Sequence, residues 1–209
     1  GILAAIVQRG RTGKGQHVDV SMSDAALTLT TIFGANFLAS GREPGLSRES
    51  LNGGMFYDFY ETRDNRYLSV GSLEPQFSIN LFTALGQVDW HARAMNYQDL
   101  EDQAKLKTQM RERFKEKSLA EWIEIFSKTE ACVEPVLTLS EVQKHPHFQA
   151  RGMFVRVPNH NGKMLDQIAN PLKFSDAQPQ YHSAGRPLGA DTSAVLKACG
   201  FSDERLDEW

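Results

Sequence analysis

The stretch Phe56-Tyr57-Asp58-Phe59-Tyr60-Glu61-Thr62-Arg63-Asp64-Asn65-Arg66-Tyr67-Leu68-Ser69-Val70-Gly71-Ser72-Leu73-Glu74-Pro75-Gln76-Phe77 runs through two strands, a turn and the start of a helix. Aromatic and β-branched side chains crowd Phe56 to Thr62 and Tyr67 to Val70, the types that suit a half-buried pleated surface. Arg63-Asp64-Asn65-Arg66 is a turn sequence, so these segments are expected to pair as an antiparallel hairpin. Pro75 fits the first position of a helix, where its missing N–H is not needed. Phe77, Leu81 and Leu85 would form that helix's apolar stripe, and Gly86 its stop.

Two side chains in this stretch are candidates for chemistry. Glu74 falls between a strand end and a helix N-terminus, where a carboxylate feels the positive end of the helix dipole and can orient a donor such as a histidine. By position alone it reads more readily as a plain helix cap. Tyr57 and Tyr60, by pattern alone, are ordinary sheet aromatics.

Downstream, residues 101–130 hold seven basic and seven acidic side chains, a balance that reads as a solvated helix face rather than a binding patch. Ser118 and Glu121 make a capping box, followed by an expected buried face of Leu119, Trp122, Ile123 and Phe126. Pro135-Val136-Leu137 reads as a short extended piece before a small helix from about Ser140 to Lys144. Phe154 to Val157 and Lys163 to Ile168, joined through Asn159-His160-Asn161-Gly162, predict a second hairpin. Asp191 is placed to cap a helix over Thr192 to Cys199, closed by Gly200, and Ser202 to cap a final short one. His145-Pro146-His147 lacks a carboxylate or cysteine at a zinc-like spacing, so no metal is expected.

Upstream, Ile2 to Val7 reads as the last turns of a helix whose earlier part is missing, ending at Gln8-Arg9-Gly10. It lacks the basic leader and cleavage site of a signal peptide. The glycine-rich Gly10-Arg11-Thr12-Gly13-Lys14-Gly15-Gln16 fails the P-loop pattern, because Gly15 follows the lysine where a hydroxyl residue is required. His17 to Met22 alternates like a short half-buried strand. A helix is expected from about Ser23 to Ser40, then a polar connection over residues 41–54 that marks a domain boundary.

With 23 basic and 26 acidic residues, a net charge of −3 and a pI near 6.1, nucleic-acid binding is not expected. Mean hydropathy of −0.42 and apolar runs no longer than Ile2 to Val7 exclude a helical membrane span. Two distant cysteines exclude a disulfide scaffold and point to a reducing compartment, here expected to be the cytoplasm. No Gly-x-Ser-x-Gly elbow supports hydrolase chemistry.

Arg11 to Met22, Glu61 to Phe77, Trp122, Ala131-Cys132-Val133-Glu134-Pro135-Val136-Leu137, Ala150-Arg151-Gly152 and Pro187-Leu188-Gly189-Ala190-Asp191-Thr192, taken together and in this order, resemble the family III CoA-transferase and α-methylacyl-CoA racemase superfamily, Glu61 to Phe77 its racemase branch in particular. The resemblance implies an α/β plus α+β fold: a Rossmann-like large domain and a small α+β domain, in an interlocked homodimer. On that pattern the chain looks like a C-terminal piece. Residues 1–50 would be the end of the large domain and its crossover, 51–155 the small domain, and 156–209 a return segment packing on the large domain.

The resemblance also implies acyl-CoA chemistry, with coenzyme A entering as part of the substrate thioester and no separate cofactor. The expected activity is racemisation of 2-methylacyl-CoA by a histidine and an aspartate that would both lie upstream of this chain. None of its six histidines sits in a matching motif. Glu74 aligns with the glutamate that contacts the catalytic histidine, Tyr57 with a tyrosine near the same site, and Met22 with a methionine that approaches CoA in the transferases. The long glycine loop of formyl-CoA transferases is reduced to Gly53-Gly54, which favours the racemase. The alternatives are a CoA-transferase with an upstream aspartate nucleophile, and a non-catalytic dimerisation or substrate-capping fragment.

Overall fold

The computed structural model describes residues 1–51 and 53–206. The chain forms two compact units, one from Gly1 to Val136 and one from Leu137 onward.

The first unit begins with three helices. Ile2–Thr12 (α1) ends at Gly13, whose φ of 71° is the left-handed conformation that glycine adopts without strain. It therefore runs past the stop expected at Gly10. Residues 14–21 follow without regular structure, so the strand expected over His17 to Met22 does not form. Val20 is 73% exposed; alternation alone makes no strand without a neighbour to pair with. Instead Ser21 caps the next helix by accepting the Asp24 N–H, and Met22 becomes its first residue.

The single helix expected from Ser23 to Ser40 is two, Met22–Leu29 (α2) and Thr31–Ser40 (α3). The break falls in Thr28-Leu29-Thr30-Thr31. Hydroxyls of Thr28, Thr30 and Thr31 bond back to the carbonyls of Ala25, Leu27 and Thr28, the local competition that bends or ends helices at such residues. Gly41 closes α3 in the left-handed region, as expected.

The predicted hairpin follows. Asp58–Glu61 (β1) pairs antiparallel with Tyr67–Val70 (β2) in the register Asp58–Val70 to Glu61–Tyr67. Val133–Pro135 (β3) adds to the other edge of β2, also antiparallel, which makes a three-stranded sheet. Four helices separate β2 from β3: Pro75–Ala84 (α4), Trp90–Ala94 (α5), Leu100–Phe114 (α6) and Leu119–Phe126 (α7). The Ser118–Glu121 capping box is present in full.

The main core cluster lies entirely between Met55 and Val133. Phe114 sits at its centre, with ring centroids 4.9 Å from Tyr60 and 5.2 Å from Trp122. Trp122 is fully buried and donates its indole N–H to the Phe114 carbonyl at 2.9 Å. The Tyr60 hydroxyl donates to the Phe56 carbonyl at 2.7 Å, so both polar handles are satisfied inside the apolar body. Ile123, expected on the buried face of α7, is 39% exposed; Leu119, Trp122 and Phe126 cover the contact without it. On α4 the buried positions are Ser78, Leu81 and Phe82, with Phe77 half-buried.

The second unit carries Leu139–Lys144 (α8), Pro146–Ala150 (α9), the hairpin Phe154–Pro158 (β4) with Met164–Ile168 (β5), Thr192–Ala198 (α10) and Asp203–Leu206 (α11). Asp191 precedes α10 but makes no capping bond; its carboxylate pairs with Arg186 instead. No described helix is long and apolar enough to cross a membrane. The two units follow packing within this chain; the divisions expected at 50/51 and 155/156 are those that the resemblance implies for a complete fold.

Candidate functional site

Strand β2 ends at Val70, and the next four residues carry the chain into α4. The Gly71 N–H donates to the Cys132 carbonyl at 2.9 Å. The fully buried Ser72 hydroxyl donates to the Ala131 carbonyl, and the Tyr97 hydroxyl to that of Leu73 at 3.3 Å. The Asn80 amide holds the Glu130 carbonyl at 2.9 Å. This loop is thus tied to the turn at residues 130–132 from several sides.

Glu74 stands at the end of that fixed loop. Its φ of −71° and ψ of 142° are extended, the conformation imposed on a residue before proline. Its carbonyl accepts the Ser78 N–H at 2.9 Å. Its carboxylate makes no capping hydrogen bond and is exposed. The backbone therefore does the work of an N-cap, while the carboxylate bonds no helix N–H and still lies at the positive end of the helix dipole.

Tyr57 is half-buried against the core. A Cβ placed on Gly71 would lie 3.5 Å from the edge of its ring and 3.5 Å from the Cys132 carbonyl oxygen, so Tyr57, Gly71 and Cys132 are neighbours. Cys132 itself has a φ of 48°. Its thiol is pushed up first by burial, then by the nearby carboxylates of Glu74, Glu134 and Glu130. It is a poor nucleophile near neutral pH. The same three carboxylates make the surroundings of Cys132 negative.

Tyr57 thus borders Gly71, three residues before Glu74, and the Glu74 carboxylate acts on Cys132. Cys132 was missed as a neighbour because nothing in its sequence context shows that residues some sixty positions apart would meet. Met22 is not part of this cluster. It is the first residue of α2 and 89% exposed.

The resemblance to known proteins is extensive. Alpha-methylacyl-CoA racemase of Homo sapiens is 34% identical over 209 residues, covering 99% of this chain and 53% of that protein. Formyl-CoA:oxalate CoA-transferase of Escherichia coli O157:H7 is 26% identical over 99% of this chain and 55% of its own length. The crystal structure of a CAIB/BAIF family protein from Brucella suis superposes with a TM-score of 0.69 at 26% identity, covering 94% of this chain and 51% of that one. The chain therefore spans about half the length of the curated relatives it matches. The family model for CoA-transferase family III matches residues 1–192, every element up to the first residue of α10, and on that coverage the chain belongs to CoA-transferase family III.

Proposed function

We propose that the complete protein moves a proton on and off the α-carbon of an acyl-CoA thioester, racemising 2-methylacyl-CoA. The observation that carries this reading is the Glu74 carboxylate, held on a fixed loop and not engaged in capping α4. A thioester carbonyl spreads the charge left when the α-proton departs. The reaction then needs a base on one face, an acid on the other and stabilisation of the enolate between them. In this reading a histidine and an aspartate outside this chain supply the acid and base. Glu74 is a positioning residue: it accepts the histidine's second N–H, fixes its tautomer and stabilises its imidazolium form. Glu130 and Glu134 make the surroundings of Cys132 negative as Glu74 does. Tyr57 borders Gly71, and Met22 is assigned to the approach of coenzyme A, which enters as part of the substrate. The partner is a second copy of the chain in an interlocked dimer, working in the cytoplasm.

A second reading is supported by the formyl-CoA:oxalate CoA-transferase match over 99% of the chain. There an aspartate carboxylate attacks the thioester carbonyl and coenzyme A leaves as thiolate; the thiolate then attacks the aspartyl carbonyl of the mixed anhydride and releases the first carboxylate. The acceptor carboxylate runs the same two steps in reverse, so that coenzyme A ends on the acceptor and the aspartate is regenerated.

The test is α-proton exchange of 2-methylacyl-CoA in deuterated water, run on the full-length protein. Glu74→Gln should lower kcat by about ten- to a thousandfold with the fold intact. Losing the carboxylate also lowers the histidine's pKa, so the basic limb of the pH profile should move to lower pH. Full exchange with reduced thermal stability would leave Glu74 only a structural role. Transfer of coenzyme A to a free carboxylate without α-exchange would establish the transferase. The 209-residue chain alone should show no exchange above background.

A further inference from the structure

Two hydroxyl residues of α4, the helix that Glu74 opens, behave differently. The Thr83 hydroxyl donates back to the Ile79 carbonyl, four residues earlier, at 2.7 Å. The Ser78 hydroxyl makes no such bond to Glu74 among the described residues. It lies instead 3.0 Å from Nδ1 of His91 on α5. Ser78 is fully buried, so His91 satisfies a group that water cannot reach. With Nδ1 accepting the hydroxyl's proton, the ring's own proton sits on Nε2.

Helix α5 is a firm anchor for that bond. Its Trp90 packs edge-on against Phe82 of α4, with ring centroids 6.3 Å apart. Arg93 pairs with Asp102 of α6 at 2.7 Å, and the Gln103 amide donates to the Arg93 and Asn96 carbonyls at 2.8 and 3.1 Å. On α4 the Glu74 carbonyl accepts the Ser78 N–H at 2.9 Å. A Ser78 hydroxyl released from His91 would find its alternative acceptor in that same carbonyl, the arrangement Thr83 makes with Ile79. Such back-bonding brings a second donor onto a helix carbonyl and bends the helix. Bending the first turn of α4 would swing the Glu74–Pro75 peptide, and the carboxylate with it.

We propose that His91 is a positioning residue for Glu74: by taking up the Ser78 hydroxyl it keeps the first turn of α4 straight and the carboxylate aimed. The inference rests on the acyl-CoA reading, in which Glu74 orients a histidine outside this chain, and it extends that reading to a side chain on a different helix.

Exchange of the α-proton of 2-methylacyl-CoA by the full-length protein tests it. His91→Leu should lower kcat about three- to tenfold with KM unchanged, because a small displacement of an orienting group costs rate rather than binding. His91→Asn puts a bonding atom near the place of Nδ1 and should keep the rate. Adding Ser78→Ala to His91→Leu should restore it, since the hydroxyl that bends the turn is gone; a loss of packing alone would not be repaired in this way. In a Glu74→Gln background His91→Leu should slow exchange no further. A normal His91→Leu, a slow His91→Asn, an unrescued double variant or an additive loss with Glu74→Gln would each overturn the inference. A slow Glu74→Gln beside a normal His91→Leu would remove this inference alone, whereas Glu74→Gln at the wild-type rate would remove the Glu74 reading and this inference with it. Should His91→Leu fail to fold, the ring nitrogen chemical shifts of wild-type His91 decide: an unprotonated Nδ1 supports the assignment, and a proton on Nδ1 overturns it.

Discussion

Helices α1 to α3 and the body from Met55 to Val133 are both rich in apolar residues, yet only the second buries them. Between Met55 and Val133, Phe56, Tyr60, Phe82, Phe114 and Trp122 are fully buried. In α1, α2 and α3 no residue is buried, and Leu3, Leu27, Leu29 and Leu38 are each more than two-thirds exposed. The difference teaches that apolar composition states a need for cover without supplying it. α3 carries Ile32, Phe33, Phe37 and Leu38 around much of its circumference, the pattern of a helix packed on more than one neighbour.

The contrast can be broken or sharpened by substitution. Trp122→Ala should cost about 3–5 kcal/mol in urea unfolding, since it opens a cavity in the aromatic cluster and orphans the Phe114 carbonyl. Next comes Asp58→Asn, expected to cost about 1.5–3 kcal/mol by weakening its ion pair with the buried Lys107. Burial raises the Asp58 carboxyl, but the Lys107 hydrogen bond, the Phe59 N–H and the nearby cations outweigh it and hold it below the ordinary 3.8. A depressed carboxylate stabilises the fold above its unfolded pKa and loses that contribution as pH falls through the folded value. Wild type should therefore weaken as pH drops below about 4, and Asp58→Asn should flatten part of that acid limb.

Smaller still is Ser118→Ala, at about 1 kcal/mol for loss of the α7 capping box. Smallest is Leu27→Ala in α2, which should stay within about 0.5 kcal/mol while reducing binding of a hydrophobic dye. A loss of several kcal/mol at Leu27, growing with protein concentration, would show that a second copy covers this face and would dissolve the contrast.

How much of this was legible beforehand divides along the same line. The hairpin, the Pro75 helix start and the Ser118 box were readable because each is fixed by residues a few positions apart. The strand expected over His17 to Met22 failed because pairing needs a partner that no local pattern reveals, and the Thr30 break failed because apolar periodicity outvoted the threonines. At the site, Glu74 was readable from its place before Pro75, and its neighbourhood was not. The turn that brings Cys132 beside Tyr57 joins distant segments, and so does the Asp58–Lys107 ion pair.

The ties from Gly71 and Ser72 to residues 131 and 132 set an order of events. They span about sixty residues, so the loop that presents Glu74 cannot settle until β3 has docked on β2. Contacts of such long sequence separation pay their loop-closure entropy before they return anything, and they form late in folding. Helices α4 to α7 lie inside that loop and are expected to collapse before it closes, an order that φ-values at Ser72 and Trp122 would check. A partly folded chain of this family would then hold much of its helix content while its carboxylate still lacked a fixed place.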